Sequence, residues 1–167
     1  MEKKTLRRES IVVTVCSIIS GILIASLLTR FVGMARVIGT SMEPTYHNGN
    51  ILVMDKALYR FDCPARGDVV MVGPIPGFVV DSLILKRVVG VPGDTVKIID
   101  NKLYINGALQ KEDYIKEPMY ANFDLECVLS EDEFFLLGDN RNISLDSRVF
   151  GPVSIDDIWG RVLFNKL

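Results

Sequence analysis

Residues 83–107 read "LILKRVVGVPGDTVKIIDNKLYING". Short apolar runs alternate here with Pro, Gly, Asp and Asn, the residues that favour tight turns. Runs of this length between turn residues indicate β-strands. The last two runs, with Asp100-Asn101 between them, predict a β-hairpin. A domain built around this stretch is expected to be mainly β, with antiparallel strands.

The same alternation of short apolar runs and turn residues extends from about residue 34 to the end of the chain. Further apolar runs lie between turn residues, namely "ILVMD" (51–55), "DVVMV" (68–72) and "FFLLGD" (134–139). The segment "SIDDIWG" (154–160) predicts a single helical turn, because Ser154 is suited to cap it and acidic residues follow in its first turn. Residues 108–130 are more charged and less periodic, so we expect a small excursion from the main sheet there.

Composition excludes some classes of function. The 167 residues carry a net charge of −2, which argues against a nucleic-acid-binding surface. The three cysteines show no spacing typical of a zinc site. Cys63 and Cys127 would pair in an oxidising compartment or remain free thiols, and the sequence leaves both alternatives open.

Residues 10–28, "SIVVTVCSIISGILIASLL", contain no charged residue. A helix of about 20 such residues spans a bilayer. One alternative is a buried helix of a soluble domain. Another is a cleavable signal peptide, since Gly33 and Ala35 have the spacing of small residues before a cleavage site. The run exceeds the core of about 7–15 residues that such peptides carry, so we predict a retained transmembrane helix over 10–30.

The charges that flank this segment predict its orientation. Four basic residues precede it and two follow closely, namely Lys3, Lys4, Arg7 and Arg8 before it and Arg30 and Arg36 after it. Basic residues favour the cytoplasmic side. We therefore expect residues 1–9 in the cytoplasm, a single pass through the cell membrane, and residues 31–167 outside as a β-rich domain.

A candidate nucleophile lies in "GTSMEPTYHNGN", residues 39–50. The Ser41 hydroxyl is a poor nucleophile until a neighbouring group accepts its proton. His47, the only histidine, is one candidate base, although a histidine in such a polar turn is more typical of a solvated surface residue. A lysine with a depressed pKa is the other.

Lys86 has the surroundings that depress a lysine pKa. If 83–91 is a strand, Lys86 shares one face with Ile84 and Val88. A lysine in the middle of an apolar strand face is unusual. The alternative is a lysine at a sheet edge whose amine reaches water. The other lysines have more polar neighbours, so Lys86 is the best candidate base.

Four segments in order behind one apolar helix now resemble a known family. They are "SMEPT" (41–45), "RGDVV" (66–70), "KRVVGVPGD" (86–94) and "GDNRNISLDSRVFG" (138–151). The chain resembles bacterial type I signal peptidases, which are membrane-anchored Ser/Lys proteases, and in particular the compact Gram-positive type. The resemblance implies a catalytic domain of coiled antiparallel β-sheets behind the anchor.

The resemblance also implies roles for individual residues. Ser41 would be the nucleophile and Lys86 the general base, while Ser144 would orient the lysine amine by a hydrogen bond. Gly39 would lie near the oxyanion site, where the Ser41 backbone N–H is one donor. The second donor stays open, because some family members have a serine at the position of Gly39. A supporting polar cluster would comprise Asp139, Arg141, Asp146 and Arg148.

The implied function is removal of signal peptides from secreted preproteins through an acyl-enzyme intermediate. Substrates would carry small residues at the last and third-last positions of the signal peptide. Implied partners are these preproteins, membrane lipid and the secretion translocon, with no nucleic acid and no metal or organic cofactor. Two other functions are alternatives to this one. They are a self-cleaving Ser/Lys protease and a non-catalytic membrane β-protein that binds exported chains.

Residues 73–80, "GPIPGFVV", are uncharged although they join two predicted strands. Ile75, Phe78, Val79 and Val80 either cap the core or, with Met34 and Met42, form an apolar rim that rests on the bilayer beside the anchor.

Overall fold

The structure, a computed structural model, describes residues 2–56, 62–75, 83–120 and 123–164. The chain begins with a long helix, α1 (Glu2–Phe31), and continues directly into the first strand. A four-residue helix, α2 (Ser147–Phe150), and a 3₁₀ turn (Ile155–Asp157) lie near the end. No helix in the described part of the chain is both long enough and apolar enough to cross a membrane.

Strands make up most of the regular structure after α1. They are β1 (Val32–Arg36), β2 (Ile51–Asp55), β3 (Val69–Val72), β4 (Ile84–Gly90), β5 (Thr95–Ile99), β6 (Lys102–Ile105), β7 (Ala108–Leu109), β8 (Leu125–Val128), β9 (Glu133–Leu137), β10 (Val153–Ser154) and β11 (Ile158–Phe164). The strands predicted from the apolar runs are therefore confirmed to within a residue or two. Five strands were not predicted, namely β1, β7, β8, β10 and β11.

Within the described residues the strands form two antiparallel sheets. The larger has seven strands in the order β1-β2-β11-β3-β4-β9-β10, and the smaller has four in the order β7-β6-β5-β8. Register shifts interrupt the ladders of β11 with both its neighbours and of β4 with β9. Such bulges bend and twist a sheet locally, which accounts for the curled shape of the larger sheet. The predicted mainly β, antiparallel fold is confirmed.

Turn chemistry explains the hairpins of the smaller sheet. Asp100 and Asn101, between β5 and β6, have φ of 50° and 64°. Asn106 and Gly107, between β6 and β7, have φ of 53° and 80°. Positive φ at both central residues matches the two-residue turns that suit the strand twist, and Asn, Asp and Gly adopt it readily. The predicted hairpin at Asp100-Asn101 is confirmed.

The core consists of apolar clusters on both sides of the larger sheet. Met42, Leu52 and Leu85 belong to one, and a second contains Val70, Val88 and Leu136. A third cluster joins the smaller sheet to the larger one, and includes Val96, Ile98, Leu103, Phe135 and Leu137. Strand β4 contributes to all three clusters, so its residues lie at the centre of the fold.

Two predicted features differ from the structure. Residues 108–130 depart from the larger sheet as expected, but they also supply β7 and β8, the two edges of the smaller sheet. Ile75 is buried in an apolar cluster, which is the core-capping alternative. Met42 is also buried in the core and does not lie on a rim. Met34 is 71% exposed. The remaining rim residues, Phe78, Val79 and Val80, lie outside the described residues.

Candidate active site

Ser41 lies at the start of a turn that is held in place on both sides. The Asn140 backbone N–H donates to the Ser41 carbonyl at 3.0 Å, and the Asn140 side chain donates to the Thr40 carbonyl at 3.1 Å. Met42 follows with its side chain buried in the core. A buried side chain directly after the half-buried serine fixes Ser41 relative to the sheet beneath it.

Lys86 approaches this turn from the centre of the larger sheet. Its strand, β4, pairs with β3 on one side and β9 on the other. The Lys86 Nζ donates to the Ser41 Oγ at 3.1 Å and to the Leu85 carbonyl at 3.0 Å. The fold thus brings together two side chains 45 positions apart in the sequence. A neutral amine at this distance can accept the serine proton.

Burial lowers the pKa of the Lys86 amine. The Lys86 side chain is only 3% exposed, and Val70 is its partner on the neighbouring strand. Desolvation lowers the pKa of Lys86 to about 8, although the negative charges of Asp146 and Asp139 act in the opposite direction. Because the pKa lies near neutrality, an appreciable fraction of the amine is neutral under ordinary conditions.

Ser144 is placed differently from the role that the resemblance implies. Its hydroxyl is buried and makes no hydrogen bond in the described structure. The expected hydrogen bond to Lys86 is therefore absent here, and the amine donates to Ser41 and Leu85. A buried hydroxyl without a partner is rare, since it has lost its bonds to water without replacing them.

Gly138 lets Ser144 and Ser41 approach each other. A Cβ added at Gly138 would lie 2.5 Å from the Ser144 Cβ and 2.6 Å from the Ser41 carbonyl oxygen. Any side chain here would push the two serines apart. The glycine that opens the fourth sequence motif is therefore required by close packing rather than by its backbone angles.

Asp139 joins three segments of the site. Arg87 donates to both of its carboxylate oxygens, at 2.8 and 2.7 Å, and the Thr45 hydroxyl donates to it at 2.5 Å. Asp139 is fully buried, so this bidentate pair and the threonine satisfy it away from water. The carboxylate thus connects the turn after Ser41 with the residue after Lys86.

Asp146 and Arg148 form a second buried pair. Arg148 donates to Asp146 through its Nε and a terminal nitrogen, both at 2.8 Å. Asp146 also accepts the Gly138 backbone N–H at 3.0 Å. Together these contacts fold residues 138–148 into one compact loop.

Arg141 accepts a hydrogen bond from Arg148 through its backbone carbonyl, but among the described residues its side chain pairs with Glu112 and with none of the other predicted members of the polar cluster. It is fully buried, and both its terminal nitrogens donate to Glu112, at 2.7 and 2.6 Å. Its Nε donates to the Gly138 carbonyl at 3.0 Å. Glu112 was missed from the sequence because it lies in the charged stretch 108–130, where nothing distinguishes it from a surface carboxylate. Arg87 was missed too, although an arginine in an apolar strand was a usable signal.

Gly39 and His47 lie away from the dyad's hydrogen bonds. Gly39 has φ of +93°, which favours glycine, and its N–H donates to the Asn48 side chain. The backbone N–H of Ser41 makes no hydrogen bond to any described residue, so it is free to meet a ligand. His47 is more than half exposed, with its Nδ1 3.7 Å from Glu43. No hydrogen bond joins it to Ser41 in the part of the chain that the structure describes.

Beside the dyad is an open cleft of about 220 Å³. Ser41 and Lys86 line it, together with apolar residues of the neighbouring segments, namely Val37, Ile38, Leu83, Ile84 and Leu85. Arg36 adds one charged side chain.

Neither Cys63 nor Cys127 is paired. Both are free thiols, as is Cys16. Of the two alternatives that the sequence left open, the structure has the unpaired one.

Comparisons with known proteins all point to one family. The family model described as signal peptidase, peptidase S26, matches residues 8–166. Signal peptidase I of Leptolyngbya laminosa is 35% identical over 148 residues, covering 85% of this chain and 72% of the relative. Signal peptidase I V of Bacillus subtilis is 35% identical over 139 residues, covering 75% and 80%. A crystal structure of a signal peptidase I from Enterococcus faecalis is similar with a TM-score of 0.51 and 34% identity, covering 62% of this chain and 98% of that one.

Proposed function

Because this chain belongs to the peptidase S26 family of signal peptidases, we propose that it removes N-terminal signal peptides from secreted preproteins with a Ser41/Lys86 dyad. Membership of the family makes it a serine peptidase and hence a hydrolase. The observation that carries the proposal is the 3.1 Å separation of Lys86 Nζ from Ser41 Oγ at the wall of the cleft. Its supporting feature is the depressed lysine pKa, because only a neutral amine can act as a base.

The reaction begins with neutral Lys86. Its amine takes the Ser41 proton while Oγ attacks the carbonyl carbon of the residue before the cleavage site. The oxyanion that forms accepts a hydrogen bond from the Ser41 backbone N–H. When this tetrahedral intermediate collapses, the Lys86 ammonium gives its proton to the leaving amine. The products are the mature protein and a Ser41 ester of the signal peptide.

Hydrolysis of the ester repeats the cycle with water. Lys86, again neutral, takes a proton from water as the water oxygen attacks the ester carbonyl. Collapse returns the proton to Ser41 Oγ and releases the signal peptide with a free carboxylate. Ser144 supports both steps as a positioning residue: its buried hydroxyl has no partner in the described residues and is free to bond the amine as that group moves.

The substrate would lie extended in the cleft, between residues 36–38 and 83–85. In an extended peptide, alternation directs the last and third-last residues of the signal peptide to the same side, and the family to which the chain belongs implies small residues there. Preproteins with such residues are the proposed substrates, and the secretion translocon is the proposed source of them. The chemistry needs no metal or organic cofactor.

We further propose that residues 10–30 anchor the protein in the cell membrane, with residues 1–9 cytoplasmic and 31–167 outside. The supporting observation is that apolar side chains of α1 are exposed along its described length, among them Ile11, Ile18 and Leu23. Alkaline carbonate extraction of membranes tests this. The full chain is expected in the pellet and a variant with Ile18→Lys and Leu23→Lys in the supernatant. Release of the unmodified chain would contradict the anchor.

The decisive assay combines the detergent-solubilised protein with a preprotein and identifies the new N-terminus by mass spectrometry. Ser41→Ala and Lys86→Ala are each expected to abolish cleavage, and the double variant should be no worse, because the two residues act as a unit. Lys97→Ala and His47→Ala are the controls and should retain turnover. Near-normal cleavage by Lys86→Ala would exclude the dyad. Binding of the preprotein without cleavage would favour a presenting protein instead.

A further inference from the structure

The segment 112–118 contacts both elements that carry the dyad, the turn of Ser41 and strand β4. It belongs to the stretch that departs from the larger sheet, and none of its residues lines the cleft. Its contacts nevertheless reach the immediate sequence neighbours of Ser41 and of Lys86. These contacts fall into an inner set around Glu112 and an outer set around Lys116.

The inner set fixes the turn that follows β9. Glu112 is almost fully buried and neutralises the Arg141 guanidinium with two hydrogen bonds. Tyr114 donates its hydroxyl proton to the same carboxylate at 2.9 Å. Arg141 in turn holds the Gly138 carbonyl, and the Lys116 backbone N–H donates to the Asp139 carbonyl at 3.0 Å. The turn is thereby fastened to the segment at two points.

This turn is also the support of the nucleophile. The Asn140 backbone N–H bonds the Ser41 carbonyl, and Gly138 packs directly against it. A displacement of the turn would therefore move Ser41 relative to Lys86.

The contacts of the outer set do not pass through the turn after β9. They join the segment directly to residues near Ser41 and Lys86 in the sequence. Lys116 Nζ lies 2.8 Å from Glu43, two residues after Ser41. The Tyr114 ring stacks on the Arg87 guanidinium, with 4.2 Å between the Arg87 Cζ and the ring centroid. Arg87 immediately follows Lys86 on β4.

From these contacts we propose that the segment 112–118 sets the distance between Ser41 Oγ and Lys86 Nζ, with Glu112, Tyr114 and Lys116 as positioning residues. None of the three touches the reacting atoms. Their effect is on the alignment of nucleophile and base, so it falls on kcat and leaves KM unchanged. The inference rests on the proposed peptidase function, since turnover is its readout.

Two lysines of the same stretch provide a matched test. Lys111 and Lys116 each form an ion pair at 2.8 Å, but Lys111 pairs locally with Asp113 while Lys116 crosses to Glu43. Lys116→Met is expected to lower kcat about 3–10-fold with KM unchanged, and Lys111→Met to leave both unchanged. The exchanged pair, Glu43→Lys with Lys116→Glu, should restore kcat to within about twofold of the parent.

Tyr114 gives a second and larger test. Tyr114→Leu removes both the ring beneath Arg87 and the bond to Glu112, and should lower kcat at least about tenfold at temperatures where the variant is folded. Tyr114→Phe keeps the ring and should lie between Tyr114→Leu and the parent. Equal kcat for Lys116→Met and Lys111→Met, together with parental kcat in Tyr114→Leu, would overturn the inference and leave a stabilising role only. Absence of turnover in the parent protein would instead overturn the proposed function.

Discussion

Lys86 carries a positive charge less readily than an ordinary lysine because burial removes the water that would solvate its ammonium. The unfolded chain binds this proton with a pKa of 10.5, whereas the folded chain binds it at about 8. Between these values the unfolded state holds more protons, so stability rises with pH. Below pH 8 the buried amine is charged in the folded state, and this lowers the free energy of unfolding by an amount on the order of 3 kcal/mol.

Lys86→Met should therefore raise stability while it abolishes cleavage. At pH 7 the variant is expected to unfold at higher urea concentration than the parent, and the difference should fade as pH approaches 10.5. The matched control is Lys97→Met, because Lys97 is a third exposed and pairs with Glu126 on the surface. Destabilisation of Lys86→Met at pH 7, relative to Lys97→Met, would contradict the burial argument.

The same burial predicts the pH dependence of catalysis. Since the neutral amine is the base, kcat/KM should rise with pH through a midpoint at about 8. Val70 is the register partner of Lys86, and Val88 lies two residues further along β4 in the same apolar cluster as Val70. Val70→Thr and Val88→Thr add a polar group to the surroundings of Lys86, which favours the ammonium, and should move this midpoint to higher pH. Val96→Thr, buried in a different cluster, is the control. A midpoint that all three variants leave in place would mean that another group limits activity.

At the scale of single elements, the local sequence specified the strands but not the contacts between them. Apolar runs between turn residues gave β2 to β6 and β9, and alternation along β4 singled out Lys86. By contrast, "VGMAR" in β1 directly follows an apolar helix, so nothing in its composition marks a strand. Contacts such as Arg87 with Asp139, 52 positions apart, depend on how loops meet in space, which local periodicity does not encode. The same holds for Ser144, whose predicted bond to Lys86 is absent.

Gly138, directly after β9, lies so close to Ser41 that a side chain at this position should disturb the active site. Gly138→Ala places a Cβ 2.6 Å from the Ser41 carbonyl oxygen, so the nucleophile turn must shift. A displacement of this kind is expected to lower kcat/KM about 100-fold, measured on folded protein. Gly21→Ala in α1 is the control, because nothing lies within 4 Å of its added Cβ. Equal activities of the two variants would show that the turn tolerates the displacement.

At the scale of the whole molecule, Asp94 ties three loops together. It accepts hydrogen bonds from the Val91 backbone and from the side chains of Arg66 and Asn106. These residues come from the loop before β3, the β4–β5 turn and the β6–β7 turn. Burial favours protonation of Asp94, but the Arg66 guanidinium and the other donors outweigh it and hold the pKa of Asp94 below its usual value.

Asp94→Asn is expected to lower the free energy of unfolding by about 1–3 kcal/mol and to leave kcat/KM at 25 °C within about twofold of the parent, since the dyad lies elsewhere. In the parent, this stabilisation should be lost as pH falls below about 3.8, through the depressed pKa of Asp94. Chemical denaturation at pH 7 and near pH 3 measures both effects. Asp113→Asn, at an exposed ion pair, is the control and should leave stability unchanged.

The two members of the dyad stand on parts of the fold that differ in how many hydrogen bonds hold them, and we expect these parts to open separately. Lys86 is on a strand hydrogen-bonded on both sides, so its backbone amide should exchange with deuterium only through global unfolding. Ser41 is on a turn tied down by a few bonds, and amides around it should exchange through local opening. Mild denaturant is then expected to disengage the nucleophile from an intact sheet, and inactivation would precede unfolding. The protein would recover activity on dilution without having to refold.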